Sequence, residues 1–143
     1  MTVLDANVLL YAYNADAPQQ PAAARWLTDL FRTGEVIGLP WVTVWAFVRI
    51  CTNPRIWTHP LPAAEAFRIV GSWLALADVV LLKPGARHWD ILQSLITEHR
   101  ATGPLVSDAV LAAVALENGA ALASTDQDFA RFKNLRWVNP LDQ

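Results

Sequence analysis

Short apolar runs of strand length alternate with amphipathic stretches of helix length along this chain, and that alternation narrows the fold more than any other feature. Residues 2–5, 35–39, 78–82, 120–124 and 136–138 read as strands. Residues 7–13, 22–32, 40–51, 61–76, 88–100 and 108–118 read as helices between them, with a short helix from Phe129. Pro21 suits a first helical turn and Gly34 a stop, Asn53-Pro54 ends the helix opened by Pro40, and Gly119 follows the helix before the fourth strand. In 61–76 the expected core positions are Ala64, Phe67, Ile69, Val70 and Leu74. Strands that alternate with helices predict an α/β fold, a central mostly parallel sheet covered by helices on both faces. The 143 residues suffice for a single domain with a real core.

Open sheets of this kind bind ligands at the carboxyl ends of their strands. The first run ends in Asp5, and the fourth is followed by Thr125-Asp126-Gln127-Asp128. Asp108 stands at a predicted helix start, where Ser107 is the expected N-cap and the helix dipole favours an acid. Each carboxylate has an ordinary use taken alone: Asp5 or Asn7 can cap the first helix, Asp108 can compensate a dipole, and Asp126 or Asp128 can cap the short helix at Phe129. Together they bring charge from three distant segments to one sheet edge. Two unit charges about 4 Å apart repel by about 4 kcal/mol at an effective dielectric near 20. Such a cluster must raise its pKa values or hold a cation. An all-oxygen donor set suits Mg²⁺, and the scatter of His59, His88 and His99 argues against zinc. A hard cation at a strand edge suits phosphodiester hydrolysis. Asn7 and Thr125 are candidate donors to orient the carboxylates.

Composition bounds the partners. Hydrophobic residues make up 54% and charged residues 17%, which excludes a disordered, solvating chain. With seven tryptophans, that balance predicts apolar surface covered by a partner. The net charge is −2, yet without Asp5, Asp108, Asp126 and Asp128 nine acids face eleven bases, nine of them Arg. The planar guanidinium fork suits phosphate. Apolar runs such as 109–116 are too short to span a bilayer, and the opening Met1-Thr2-Val3-Leu4-Asp5 lacks the basic region of a signal peptide. A single cysteine, Cys51, forms no intramolecular disulfide, and the expected compartment is the cytoplasm.

Several segments in order carry a family resemblance: Val3-Leu4-Asp5-Ala6-Asn7-Val8-Leu9-Leu10-Tyr11, Leu39-Pro40-Trp41, Phe47-Val48-Arg49-Ile50-Cys51-Thr52-Asn53-Pro54-Arg55, Ser107-Asp108-Ala109-Val110-Leu111-Ala112-Ala113, and Ser124-Thr125-Asp126-Gln127-Asp128-Phe129-Ala130-Arg131-Phe132 with Trp137-Val138-Asn139-Pro140-Leu141. The chain resembles the PIN-domain nucleases, specifically the VapC-type toxins of bacterial toxin–antitoxin pairs, in the branch abundant in mycobacteria. The resemblance implies a PIN-like three-layer α/β/α sandwich and a Mg²⁺-dependent endoribonuclease, with Mn²⁺ as a substitute. It also implies neutralisation by a small VapB-type antitoxin, homodimerisation, and structured RNA (transfer or ribosomal) as substrate. Asp5, Asp108, Asp126 and Asp128 match its acidic positions, with metal contact expected from Asp5, Asp108 and Asp126. The pattern often has Glu in the helix after the second strand; here Ala46 stands in that place, and Asp128 is the candidate replacement.

Arg49 and Arg55 flank the Thr52-Asn53-Pro54 turn and are candidate RNA-phosphate contacts. Trp41, Trp45 and Trp57 are candidates for base stacking, a partner groove, or ordinary core. The main competing reading is a catalytically decayed module that binds RNA or antitoxin without cleaving. A phosphoryl-transfer receiver fits less well, because Lys83 precedes Asp108 and Asp126, whereas a receiver places its lysine last. A phosphatase needs Asp-x-Asp after the first strand, and Asn7 occupies the second position.

Overall fold

A computed structural model describes residues 1–142. Five parallel strands form one sheet: β1 (Thr2–Leu4), β2 (Ile37–Pro40), β3 (Val79–Leu82), β4 (Ala121–Ala123) and β5 (Trp137–Val138), in the spatial order β3-β2-β1-β4-β5. Six helices connect them: α1 (Ala6–Tyr13), α2 (Gln20–Arg32), α3 (Trp41–Cys51), α4 (Ala63–Leu74), α5 (His88–His99) and α6 (Pro104–Glu117). A 3₁₀ turn at Gln127–Arg131 follows β4. This is the expected three-layer α/β arrangement. Among the described residues no helix is long and apolar enough to cross a membrane.

Side chains alternate across the strands and so divide the core in two. Leu4, Ile37, Leu39 and Ala123 face the buried side chains of α1 to α4, including Leu9, Leu27, Phe47 and Trp73. Val3, Leu82 and Leu122 face α5, α6 and the 3₁₀ turn, including Leu95, Ala112, Phe129 and Phe132. Helix α6 is apolar nearly all round, and its small residues Ala109, Ala112, Ala113 and Ala115 are fully buried. The chain enters at β1 in the middle of the sheet, builds outward through β2 and β3, then returns to β4 on the other flank of β1. The carboxyl ends of β1 and β4 therefore flank the point where strand order reverses, the usual ligand crevice of such sheets.

Two sequence expectations change here. Helix α6 begins at Pro104 with Gly103 as N-cap, so Ser107 is not the cap and Asp108 lies in the second turn. Proline at the first position loses no helical hydrogen bond, and Gly103, at φ 58°, takes a left-handed backbone that costs glycine little. The Asp108 carboxylate therefore stands beyond the first turn, where it would have served the helix dipole. In α4 the buried face is Ala66, Ile69, Val70 and Trp73, whereas Ala64 is exposed, as are Phe67 (62%) and Leu74 (41%). Helix α4 carries apolar residues on two adjacent faces, and only one of them meets the core. The second lines a groove with Val44, Trp45 and Val48 of α3.

Candidate metal centre

The site is assembled by strand register. Leu4 pairs with Ala123, so the next residues on each strand, Asp5 and Ser124, emerge side by side. The Asp5 backbone N–H donates to the Ala123 carbonyl at 3.0 Å. Asp5 is also the N-cap of α1: its Oδ1 accepts from the Ala6 N–H at 2.7 Å. Its Oδ2 accepts from the Ser124 hydroxyl at 2.7 Å and the Asn7 side-chain amide at 3.1 Å. The capping and clustering uses of Asp5 thus coexist, one on each oxygen.

Ser124 is the hub of this arrangement. It is fully buried, donates to Asp5, and accepts from Asn7 Nδ2 at 3.0 Å and from the Asp126 backbone N–H at 3.1 Å. Asn7 Oδ1 in turn accepts from the Thr125 backbone N–H at 3.1 Å. Thr125 therefore takes part through its main chain, while the orienting hydroxyl belongs to its neighbour Ser124. Sequence reasoning passed over Ser124 because a serine beside a threonine after a strand reads as an ordinary turn hydroxyl; only the β1–β4 register distinguishes them. Ser124→Ala is expected to strand two N–H donors and weaken the hold on Asp5, at about 1–3 kcal/mol of stability. Thr125→Ala, which keeps the backbone donor, is expected to stay within about 0.5 kcal/mol of wild type. Urea denaturation checks the pair, and the reverse order would contradict the assignment.

Asp108, Asp126 and Asp128 each offer a carboxylate oxygen within 4.8 Å of the others, with Asp108 and Asp126 half-buried and Asp128 exposed. Asp126 Oδ1 accepts from the Asp128 N–H at 2.9 Å and caps the 3₁₀ turn. Asp5 stands outside this tightest triad but within electrostatic reach: its charge acts on Asp108, and that of Asp126 acts on Asp5. No glutamate joins the triad among the described residues, and Asp128 completes it. Helix α3, which carries Ala46, is pinned to the same sheet edge by the buried Thr43 hydroxyl, which donates to the Leu4 carbonyl at 2.8 Å.

Charge accumulation is visible in the acids themselves. Burial, then the charges of Asp126, Asp128 and Asp5, push the Asp108 carboxyl up to about 6, against a smaller opposing pull from Arg131. Burial also raises Asp5, although the bonds from Ser124 and Ala6 work against it. The folded metal-free chain therefore holds protons that an unfolded carboxylate, with a pKa near 3.9, has released. The folded state binds more protons between these values, so stability falls as pH rises from about 4 to about 6. The expected loss is about 1 kcal/mol for the half-exposed Asp108 after solvent screening. Urea denaturation in chelator at pH 5 and pH 7.5 checks this, and Asp108→Asn is expected to flatten the slope.

Arg131 is the cation beside the cluster that sequence reasoning passed over. Its Nε donates to the Asp128 carbonyl at 3.2 Å, and its guanidinium lies 3.8 Å from Asp128 Oδ1. Its signal was the three-residue spacing from Asp128, legible only once that segment is known to be a helical turn. The two sequence-selected arginines separate from each other. Arg49 lines the groove between α3 and α4, and Arg55 is exposed on the turn after α3. The tryptophans also separate: Trp57 is buried near Asn7, while the exposed Trp41 and Trp45 lie with ring centroids 6.4 Å apart.

The donor set is all oxygen, carries excess negative charge, and leaves the triad carboxylates on the surface side of Asp5. Those features fit a hard divalent cation with part of its water shell retained.

Comparison with known proteins bears on the family and the fold. The PIN domain family profile matches residues 2–135. The chain is 41% identical over 140 residues to ribonuclease VapC37 of Mycobacterium tuberculosis, covering 98% of this chain and 97% of that protein. It is 40% identical over 142 residues to ribonuclease VapC43 of the same organism, covering 99% and 97%. In fold it is similar to the VapBC2 structure from Rickettsia felis, bound to a DNA fragment from the promoter, with a TM-score of 0.69 at 17% identity over 96% of this chain and 97% of that one. About 40% identity to VapC ribonucleases over nearly the full length, a matching family profile and a shared fold lead to one assignment: this chain belongs to the PIN-domain family, in its VapC branch.

Proposed function

We propose that this chain is a divalent-metal-dependent endoribonuclease, the toxin of a type II toxin–antitoxin pair, working as one PIN domain over residues 1–143. The observation that carries the reading is the convergence of Asp5, Asp108, Asp126 and Asp128 at the β1–β4 crevice, with the Asp108 carboxyl raised by burial and by its acidic neighbours. Asp108, Asp126 and Asp128, with Asp5 beside them, are the residues that would hold Mg²⁺ or Mn²⁺. Such an ion, when bound, supplies Lewis acidity toward the phosphoryl oxygen and an activated water. The chain's own contribution is positioning. Ser124 and Asn7 fix the Asp5 carboxylate, the Asp128 N–H fixes Asp126, and Arg131 places a guanidinium at the rim, where an RNA phosphate would approach.

The partners follow from family and surface. A VapB-type antitoxin would cover apolar surface such as the α3–α4 groove, or reach the acidic cluster with a cation. A second copy of the chain is the other expected partner, and the exposed Trp41, Val42 and Trp45 offer apolar surface for one of the two. The cytoplasm is the compartment where both RNA and antitoxin are available.

The test is direct. Purified protein is incubated with transfer RNA and ribosomal RNA, with Mg²⁺, with Mn²⁺ and with chelator. Metal-dependent endonucleolytic products are expected. Tight RNA binding without cleavage under all three conditions would favour the decayed-module reading instead.

A further inference from the structure

Beside the carboxylate centre lies a separate pocket of about 270 Å³. One face of α1 forms its floor, with Asn7, Leu10, Tyr11 and Asn14 at the spacing of a single helical stripe, and Ile56 and Trp57 close it from the turn after α3. Asn7 belongs to both places: it lines the pocket while its amide nitrogen donates to Asp5. The pocket thus begins one side chain away from the cluster. From Asn7 to Asn14 the floor runs about 10 Å at the helical rise, the length of one base with its ribose.

The turn that closes it is built by one residue. Asn53 accepts through its backbone carbonyl from the N–H groups of Ile56 and Trp57, and its Oδ1 accepts from the Arg55 N–H at 2.9 Å. Trp57 is only 5% exposed, yet its indole N–H has no partner among the described residues. That nitrogen is not among the fully buried unpaired atoms of the described residues, so it is not sealed from solvent, and Trp57 lines the pocket. An unused donor, aromatic and aliphatic walls, and no acid in the lining together suit a flat, acceptor-bearing, uncharged group. The exposed Arg55 precedes Ile56 on the same turn and offers a cation to a phosphate attached to that group.

We infer that this pocket is a nucleobase subsite, which seats a single unpaired base adjoining the phosphodiester to be cut. The inference rests on the ribonuclease reading above and adds a determinant of where the RNA is cleaved. Seating one base requires the strand to be unpaired at that point, so loops are favoured over duplex.

The probe is a synthetic hairpin RNA with a randomised single-stranded loop, cleaved by the full chain in Mn²⁺ and read by sequencing of the products. A base preference of about tenfold is expected at one position adjoining the cut, and an abasic residue there is expected to slow cleavage by about 5- to 100-fold, the range of one lost base contact. Ile56→Ala, at an exposed position, and Trp57→Phe, which keeps a ring but removes the donor, are expected to shrink that preference at least threefold. A melting curve confirms that each variant is folded. Two results overturn the subsite while leaving the nuclease standing: the same preference in wild type and both variants, or variants that only weaken inhibition by the cognate antitoxin. If the wild-type chain cleaves no loop sequence at all, the ribonuclease reading fails and the subsite falls with it.

Discussion

Asp108→Asn and Asp5→Asn are each expected to lower the rate of RNA cleavage by about a thousandfold or more, equivalent to about 4 kcal/mol of lost transition-state stabilisation. Asparagine preserves shape and removes one negative charge from a site whose use is to hold positive charge. The two variants differ in what else they disturb. At position 5, asparagine still caps α1 through its side-chain oxygen, but its amide nitrogen replaces the oxygen that accepts from Ser124 and Asn7. At position 108, no hydrogen bond from another described residue binds the carboxylate to the fold, and its neighbours repel it. Asp108→Asn is therefore expected to stabilise the metal-free protein while it abolishes activity. A residue retained for structure would lose stability and activity together. Cleavage assays at saturating Mn²⁺, with urea denaturation in chelator, read both quantities. Full cleavage by both variants would move the chemistry to another part of the molecule.

Phe47→Ala is expected to cost about 3–5 kcal/mol, against a total stability of about 5–15 kcal/mol for a domain. Phe47 is fully buried, and its ring meets Trp73 edge-on at 4.8 Å and Tyr13 at 5.9 Å. Tyr13 and Trp73 complete the cluster at 5.5 Å, with the Trp73 indole donating to the Tyr13 hydroxyl at 2.9 Å. These three rings come from α3, α4 and α1, so the cavity would loosen three helices at once. Helix α1 carries Asn7 and is capped by Asp5, and α3 leads into the turn that presents Trp57. A variant still folded at low temperature is expected to show weaker cleavage as well as a lower urea midpoint. An unchanged midpoint would mean that this cluster is not the anchor of its side of the sheet.

Much of the architecture was legible in the residue pattern, because burial on both faces of a parallel sheet demands continuous apolar strands separated by helices. Helix ends were less legible wherever two candidates competed. Ser107 has better capping chemistry than Gly103, but Pro104 sets the helix earlier, and the cap moved with it. The core face of α4 was misassigned at Ala64, Phe67 and Leu74 for a related reason: periodicity marks apolar positions, and the partner helix decides which are covered. Arg49 and Arg55 looked like a pair in sequence, yet one lines an apolar groove and the other sits on an exposed turn.

The sequence by itself determined that Asp5, Asp108, Asp126 and Asp128 would meet, since strand ends and a helix start in an α/β sheet face the same edge. It did not determine which of them lie closest. The tertiary structure decided that Asp108, Asp126 and Asp128 form the tight triad, with Asp5 held just behind them by Ser124. That choice depends on the β1–β4 register and on the second-turn position of Asp108 in α6. The register joins segments more than a hundred residues apart, and no local pattern encodes it; the helix start is local, but Pro104 overrides the better capping chemistry of Ser107.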